Sequence, residues 1–145
     1  GNILFEYWGN EIATKDSIRD GWFYTGDIGY EDEDGDVWIN DRKKDVVISG
    51  GENIYPAEIE AFIIEMPDVA DAVVVGRADN KWGEVPVAVI ILENNVALEK
   101  NTFLNRFQNN LARFKHPKDV IFLKELPRNA MGKVLKYEVR KLVNE

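Results

Sequence analysis

The sequence has 145 residues, a formal net charge of −8 at pH 7, no cysteine and a single histidine, His116. That length corresponds to about one domain, and 45% hydrophobic residues is ordinary for a chain that forms a core. The acidic balance argues against nucleic acid as the main partner. The lack of cysteine excludes disulfides and thiolate metal sites, and one histidine excludes an imidazole-rich site, so we expect no metal-binding residue.

No segment has the pattern of a membrane span or a targeting signal. The start, GNILFEYW, lacks a basic region followed by a long apolar core, so we expect no signal peptide. The longest apolar run, Val85 to Leu92, contains Pro86 and is too short to cross a bilayer. A cytoplasmic protein without a membrane span is therefore expected.

The N-terminal residues predict short, mostly β structure. Ile3-Leu4-Phe5 and Tyr7-Trp8 indicate a first strand or turn, and the polar residues 10–20 indicate a loop or a short helix. Trp22-Phe23-Tyr24 is aromatic, which is typical of strands.

An acidic tip, Glu31 to Asp36, lies between the apolar stretches Ile28 to Tyr30 and Val37 to Ile39. Its Asp-Gly pair between apolar stretches predicts a β-hairpin. A calcium loop is the alternative. It would place Tyr30 at the first ligand position and Asp41 instead of a glutamate at the last, so we prefer the hairpin.

The stretch from Asp41 to Glu60, DRKKDVVISGGENIYPAEIE, joins a basic cluster to a strand, a glycine turn and a helix. Ser49-Gly50-Gly51 ends a β-branched run, and glycine there adopts positive φ cheaply and lets another molecule approach the backbone. Pro56 is suited to the first turn of a helix. Such an arrangement favours a loop that handles an anionic ligand. The apolar residues of the helix are Ile59, Phe62, Ile63 and Met66.

Strand and helix patterns alternate in the rest of the chain. The pattern predicts an α/β (α+β) fold in which a small β-sheet is covered by helices and preceded by a short, mostly β segment. The predicted strands are Val69 to Gly76, Val85 to Leu92 and Val120 to Leu123, with a polar loop from Arg77 to Glu84. The predicted helices are Phe103 to Phe114 and Tyr137 to Val143, with a loop from Pro127 to Gly132 before the second.

Three motifs together resemble the AMP-forming acyl-CoA synthetases of the adenylate-forming enzyme superfamily. They are Tyr24-Thr25-Gly26-Asp27, the stretch Asp41 to Glu60, and Asn129-Ala130-Met131-Gly132-Lys133, in the order that the family has. The resemblance covers essentially the whole chain and implies the C-terminal end of such an enzyme. Residues 1–43 would be the tail of the large N-terminal domain, and residues 44–145 would be the mobile C-terminal lid domain. Composition alone marks this boundary weakly.

The resemblance implies an ATP- and AMP-binding set, Asp27, Arg42 and Lys133. A carboxylate such as Asp27 can accept hydrogen bonds from both ribose hydroxyls, although an aspartate that caps a turn is the simpler interpretation of the local sequence. Arg42 matches an arginine that reaches the ribose and phosphates. Lys133 matches the catalytic lysine, whose ammonium neutralises charge as a carboxylate attacks the α-phosphate of ATP. Without the resemblance, Arg42 and Lys133 would both be taken for surface cations.

The resemblance also implies a hinge and a coenzyme A site. Lys44 matches the hinge, where a few residues absorb a large backbone rotation. Trp82 lines the CoA route or the nucleotide site, or is a half-buried core tryptophan. His116 stands where related enzymes often carry arginine, and a histidine before proline is more often a helix terminator. The CoA-binding residues that the resemblance implies are Gly50, Gly51, Glu52, Asn53, Trp82, Lys115 and His116.

The function implied by the resemblance is an ATP-dependent fatty- or aryl-acid CoA ligase that forms acyl-AMP and then acyl-CoA by domain alternation. Its substrates would be a carboxylic acid, ATP with Mg²⁺, and coenzyme A, and its other partner the missing N-terminal domain. A homodimer of the full enzyme stays open. These residues include no phosphate loop and no acyl pocket, so we expect the chain to be inactive alone.

Three alternatives remain. An adenylation domain that loads a carrier protein would have the same lysine and hinge. A non-catalytic module could keep the fold, although the presence of Lys133, Asp27 and Arg42 together argues against it. A luciferase-like oxidation of the adenylate is neither supported nor excluded.

Overall fold

The computed structural model of the protein describes residues 4–145, which form two compact units divided between Lys44 and Asp45. The predicted first strand or turn begins at Ile3, which lies outside the described residues. Residues 4–7 have no regular structure, and Trp8 and Gly9 form a turn. Within the described residues, no helix has both the length and the apolar character needed to span a bilayer.

The first unit contains one short helix and two antiparallel β-hairpins. Helix α1 (Glu11–Ser17) begins after Asn10, whose side chain accepts the Ala13 backbone N–H. The two hairpins are β1 (Ile18–Arg19) with β2 (Trp22–Phe23), and β3 (Asp27–Glu31) with β4 (Val37–Arg42).

The predicted hairpin around the acidic tip is confirmed. One oxygen of the Asp32 carboxylate accepts the backbone N–H groups of Asp34 and Asp36, and the other accepts Trp38 Nε1 at 2.6 Å. These bonds stabilise the ionised carboxylate and lower the pKa of Asp32, with the bond from Trp38 as the largest cause. Asp32 therefore organises the turn itself.

The first unit has no core of its own. None of residues 4–44 is buried, although the segment is rich in aromatic side chains; Trp22 is 72% exposed and Trp38 is 53% exposed. Large aromatic side chains of a self-sufficient domain are mostly removed from water. This segment therefore carries an apolar surface that its own residues do not cover.

The second unit is built on a five-stranded sheet. Its strands are β5 (Val47–Ser49), β6 (Glu52–Ile54), β7 (Val69–Asp79), β8 (Gly83–Leu92) and β9 (Asp119–Phe122). The order is β6-β5-β8-β7, with β9 parallel to β8 and the other pairs antiparallel. The helices are α2 (Pro56–Ile64), α3 (Lys100–Asn105) and α4 (Lys136–Asn144).

Helices cover both faces of this sheet, and successive strand residues point to opposite faces. Val74 and Ile90 pack in one cluster with Ile59 and Ile63 of α2 and Phe103 of α3. The neighbouring residues of the same strands belong to a second cluster with α4. The buried residues of this second cluster are Val73, Val75, Val87, Val89, Leu126, Val139 and Val143. The predicted fold class is thereby confirmed, and the predicted final helix is correct to within one residue at each end.

The predicted polar loop from Arg77 to Glu84 is wrong. Strand β7 continues to Asp79 and pairs with Gly83, so only residues 80–82 form the turn. The Asp79 carboxylate closes that turn by accepting the backbone N–H groups of Lys81 and Trp82, both at 2.9 Å. Polar side chains on a partly exposed strand, rather than a loop, produced the misleading pattern.

The predicted helix from Phe103 to Phe114 is also wrong in its extent. Helix α3 ends at Asn105, and Asn109 has a φ of +66° that no α-helix contains. The Asn110 side chain donates to the Arg106 carbonyl at 2.9 Å, so it competes with helical bonding. Phe107 is nevertheless buried, with its ring centre 5.4 Å from those of Phe62 and Phe103.

Candidate functional site

Asp27 and Arg42 face each other as the first pair of the β3–β4 hairpin. Arg42 Nε lies 2.8 Å from Asp27 Oδ1, and Arg42 Nη1 donates to the Thr25 carbonyl at 3.0 Å. The Thr25 hydroxyl accepts the Asp27 backbone N–H at 3.1 Å, so Thr25 and not Asp27 closes the local turn. The structure therefore brings two of the predicted nucleotide-binding residues together.

Lys133 lies at the end of a tightly bonded loop. The Leu135 N–H donates to the Pro127 carbonyl at 2.8 Å, and the Asn129 N–H donates to the Lys133 carbonyl at 2.9 Å. The Asn129 side-chain oxygen accepts the backbone N–H groups of Met131 at 3.0 Å and Lys133 at 2.9 Å. Sequence reasoning missed the part played by Asn129, although asparagine before such a turn is a common signal.

The side chain of Lys133 is exposed at this loop, next to Met131, which is 91% exposed. Gly132 precedes it with a φ of +80°, a conformation that glycine adopts without steric cost. Within residues 4–145 no ion pair of the Lys133 ammonium is found. Its charge is thus available to an anion, which suits the predicted catalytic role.

The predicted glycine loop is the turn of the β5–β6 hairpin. Gly50 and Gly51 have φ of +59° and +91°, which confirms the predicted positive φ and matches a two-residue hairpin turn. Glu52 and Asn53, the next two residues of the predicted CoA-binding set, lie in β6. Both glycines and both following side chains are exposed, so the turn is open to another molecule.

Trp82 lies against this glycine turn. The Gly50 N–H donates to the Trp82 carbonyl at 2.8 Å, and Lys81 Nζ lies 4.8 Å from the centre of the Trp82 ring. The indole is 45% exposed, so it forms part of the surface beside the glycines. Gly50 and Trp82 are distant in the sequence, and the pairing of Ser49 with Gly83 brings them together.

Lys115 and His116, the remaining predicted CoA-binding residues, make contacts within the protein. Lys115 Nζ lies 2.7 Å from both carboxylate oxygens of Glu58 on α2. His116 Nε2 lies 2.8 Å from the Leu111 carbonyl, and its ring is 6.1 Å from that of Phe107. His116 directly follows a 3₁₀ helix, Arg113–Lys115, so its position agrees with the alternative of a helix terminator.

Lys44, the predicted hinge, is the middle residue of a 3₁₀ turn, Lys43–Asp45. Asp45, the first residue of the second unit, is only 9% exposed, and its Oδ1 lies 3.5 Å from Nη2 of Arg140 in α4. This anchored aspartate was not predicted, because sequence alone does not reveal that a charge beside Lys44 is buried.

Lys133 and the glycine turn occupy different parts of the second unit. The Lys133 loop leads into α4, and Val134 packs against the α4-side core. The glycine turn lies beside the β7–β8 turn, where Trp82 is located. Among the described residues, no group of three or more histidine, aspartate or glutamate side chains could hold a metal ion.

Comparison with known proteins gives a family. Residues 58–133, just over half of the chain, match a family model described as the AMP-binding enzyme C-terminal domain. The chain therefore belongs to the family of AMP-binding enzyme C-terminal domains.

Similar proteins are CoA ligases. The chain is 49% identical over 142 residues to the indoleacetate–CoA ligase of Aromatoleum aromaticum, covering 98% of this chain and 28% of the ligase. It is 48% identical over 144 residues to a 2-succinylbenzoate–CoA ligase of Bacillus cereus, covering 99% of this chain and 30% of the ligase. The chain thus spans less than a third of the length of these relatives.

Solved structures are similar to this chain over nearly its full length. ATP-bound MatB from Rhodopseudomonas palustris matches with a TM-score of 0.87 and 42% identity over 97% of this chain and 28% of that one. The o-succinylbenzoate CoA synthetase of Bacillus subtilis, in complex with the acyl-adenylate intermediate OSB-AMP, matches with a TM-score of 0.86 and 40% identity over 96% of this chain and 28% of that one.

Proposed function

We propose that the chain is the C-terminal part of an AMP-forming acid–CoA ligase that activates a fatty or aryl carboxylic acid with ATP. The observation that carries this proposal is Lys133, an exposed lysine presented by a hydrogen-bonded loop in a chain of this family. The names of the relatives, indoleacetate–CoA and 2-succinylbenzoate–CoA ligase, favour an aryl acid over a fatty acid. ATP and coenzyme A as substrates favour action in the cytoplasm.

In the first half-reaction, the carboxylate attacks the α-phosphate of ATP and pyrophosphate leaves, giving acyl-AMP. Two anions meet in this step, so a cation placed between them lowers the barrier. Lys133 supplies that cation. Asp27 accepts hydrogen bonds from the ribose hydroxyls, and Arg42, paired with Asp27 at 2.8 Å, contacts the ribose and phosphates. Bound Mg²⁺ would neutralise phosphate charge, and we assign it no ligand in this chain.

In the second half-reaction, the CoA thiol attacks the acyl carbonyl and AMP leaves, giving the thioester. The open turn at Gly50 and Gly51 provides a backbone surface without side chains for the pantetheine arm, and Trp82 forms one wall beside it. Glu52 and Asn53 follow on β6 within reach of the same surface. Lys115 and His116 remain the proposed contacts of the CoA nucleotide, with Lys115 released from Glu58 on binding.

The two half-reactions require Lys133 and the glycine turn in succession. We assign the exchange to a rotation of residues 44–145 about Lys44, which gates the active site between two arrangements. The Asp45 carboxylate pairs with Arg140 at 3.5 Å, which connects the residue after Lys44 to α4.

Residues 1–43 are proposed to be the tail of a large N-terminal domain. Their exposed aromatic side chains support this, because the missing part of that domain would cover them. The ATP phosphate loop and the acyl pocket would then lie in the missing part, and the described chain alone would be inactive.

The test is AMP release by the full-length protein with a panel of carboxylic acids that includes indoleacetate and 2-succinylbenzoate. We expect release that depends on both an acid and CoA. Release with a carrier protein but not with CoA would identify a carrier-loading adenylation domain instead. If no acid gives AMP release, with either CoA or a carrier protein as the acceptor, the result would favour a non-catalytic module.

A further inference from the structure

Arg128 connects the Lys133 loop to the central sheet. Its guanidinium bonds to the Asp71 carboxylate through Nη2 and donates to the Gly132 carbonyl through Nη1. Arg128 also forms an isolated antiparallel bridge with Val134. A single planar group therefore contacts both the beginning of β7 and the loop.

Asp71 is a fixed anchor for this contact. It pairs with Ile91 across the β7–β8 ladder, and its other carboxylate oxygen accepts the Ala72 backbone N–H at 2.9 Å. Its side chain is 26% exposed. A carboxylate held in this way fixes the position of the guanidinium relative to the sheet.

The contact is made at the peptide group that joins Gly132 to Lys133. Arg128 binds the oxygen of that peptide, and the Asn129 side-chain oxygen accepts its N–H at 2.9 Å. Both polar atoms of one peptide plane are therefore held. Because Lys133 Cα lies in this plane, the two contacts together fix the point from which the lysine side chain leaves the backbone.

The contribution of Arg128 differs from that of the other loop bonds. The bonds from Leu135 to Pro127 and between Asn129 and Lys133 are internal to residues 127–135. Among the polar contacts of this loop in the described residues, the Arg128–Asp71 pair is the one that reaches the sheet. Without it, the loop keeps its internal bonds and the packing of Val134 against the core, but the Gly132–Lys133 peptide loses its polar connection to the sheet.

We propose that Arg128, anchored by Asp71, is a positioning residue that orients Lys133 for adenylation. This inference rests on the proposed function, in which Lys133 acts in the first half-reaction. A displacement of about 1 Å at a reacting group can slow a reaction about 100-fold, so a misdirected lysine is costly even with its charge intact.

The test compares Arg128→Ala, Asp71→Asn, Lys133→Ala and the double variant Arg128→Ala/Lys133→Ala in the full-length enzyme. We expect Arg128→Ala and Asp71→Asn to lower kcat of acyl-AMP formation about 10-fold or more with little change in KM for ATP. Thioester formation from supplied acyl-adenylate and CoA should change less than about 2-fold. In the Lys133→Ala background, Arg128→Ala should have no further effect, since there is no ammonium to orient.

Arg77→Ala is the matched control, because Arg77 pairs with Asp119 on the same sheet at 2.8 Å and does not contact the loop. It should affect stability without a selective loss of adenylation. Asp71→Asn keeps the shape of the anchor and remains informative if Arg128→Ala fails to fold.

An equal loss in both half-reactions, or an Arg128 effect that persists undiminished in the Lys133→Ala background, would overturn the inference. If Lys133→Ala leaves adenylation unchanged, the proposed catalytic role of Lys133 is itself wrong, whatever the effect of Arg128→Ala. The two failures are thus distinguishable.

Discussion

Gly50 and Trp82 are in such close contact that a Cβ atom on Gly50 would lie 2.6 Å from Trp82 Cε3. Real Cβ atoms do not approach that closely, so the indole occupies the space that any other residue at position 50 would need. The Gly50 backbone N–H also donates to the Trp82 carbonyl at 2.8 Å. The glycine turn and the tryptophan wall are therefore one structural feature, formed by two β-hairpins.

Gly50→Ala should displace the Trp82 ring and slow thioester formation about 10-fold, as expected for a rearranged wall in a narrow passage. Adenylation should change little. Gly51→Ala is the comparison, because it adds a methyl group to the same proposed surface at positive φ but its Cβ would have no neighbour within 4 Å. Equal effects of the two substitutions on thioester formation would show that backbone strain or crowding of the surface, and not the Trp82 contact, matters.

Lys133→Ala should reduce acyl-AMP formation about 100- to 1,000-fold, the loss expected when one preorganised donor is removed from a developing charge. Thioester formation from synthetic acyl-adenylate should be nearly unaffected. Pyrophosphate release measures the first step, and thioester formation measures the second. The exposed Lys124 provides the control, and Lys124→Ala should match the wild type in both.

Asp27→Asn should raise the KM for ATP about 10-fold or more, because it removes a charged acceptor of the ribose hydroxyls and the partner of Arg42. Steady-state kinetics at saturating acid measures this change. Asp34→Asn removes one negative charge from the tip of the same hairpin and should leave the KM unchanged. A matching rise in both variants would attribute the effect to net charge.

Lys44→Pro should block one half-reaction selectively in the full-length enzyme, because proline restricts the backbone rotation proposed for the 3₁₀ turn Lys43–Asp45. Lys44→Ala removes the same side chain without that restriction and should retain both half-reactions. Separate assays of the two steps distinguish the variants. Equal loss of both steps in Lys44→Pro would contradict the proposed hinge.

Asp68 and Arg106 provide a pH-dependent contribution to stability. The Arg106 guanidinium donates to the two Asp68 carboxylate oxygens at 2.6 and 2.7 Å, and these bonds lower the pKa of Asp68 below its ordinary value of 3.8. A carboxyl whose pKa is lowered by folding stabilises the fold above its unfolded pKa. The stabilisation is lost as the pH falls through the folded pKa.

Asp68→Asn should therefore lower the free energy of unfolding at pH 7 by about 1.5–3 kcal/mol, the range for hydrogen bonds to charged groups. The difference from the wild type should shrink progressively below about pH 4. Thermal unfolding across pH 3–7 measures both effects in the chain. The exposed Glu125, changed to Gln, is the control and should show neither.

Local patterns were sufficient for much of the fold. Pro56 begins α2 as predicted, the acidic tip forms its hairpin, and the last helix differs by one residue at each end. Each depends on interactions within a few residues, such as a proline at a helix start or an Asp-Gly turn. Predictions failed where pairing with another strand decides, as in β7, which continues to Asp79 opposite Gly83 although the pattern there predicted a loop.

By itself, the sequence determined the family motifs and the conformation of the glycine turn, because these follow from residue type and local spacing. Only the tertiary structure placed Trp82 on Gly50, Arg42 on Asp27 and Arg128 between Asp71 and the Lys133 loop. Those contacts join residues between 4 and 57 positions apart, and their geometry depends on strand register and sheet packing, which no local pattern specifies.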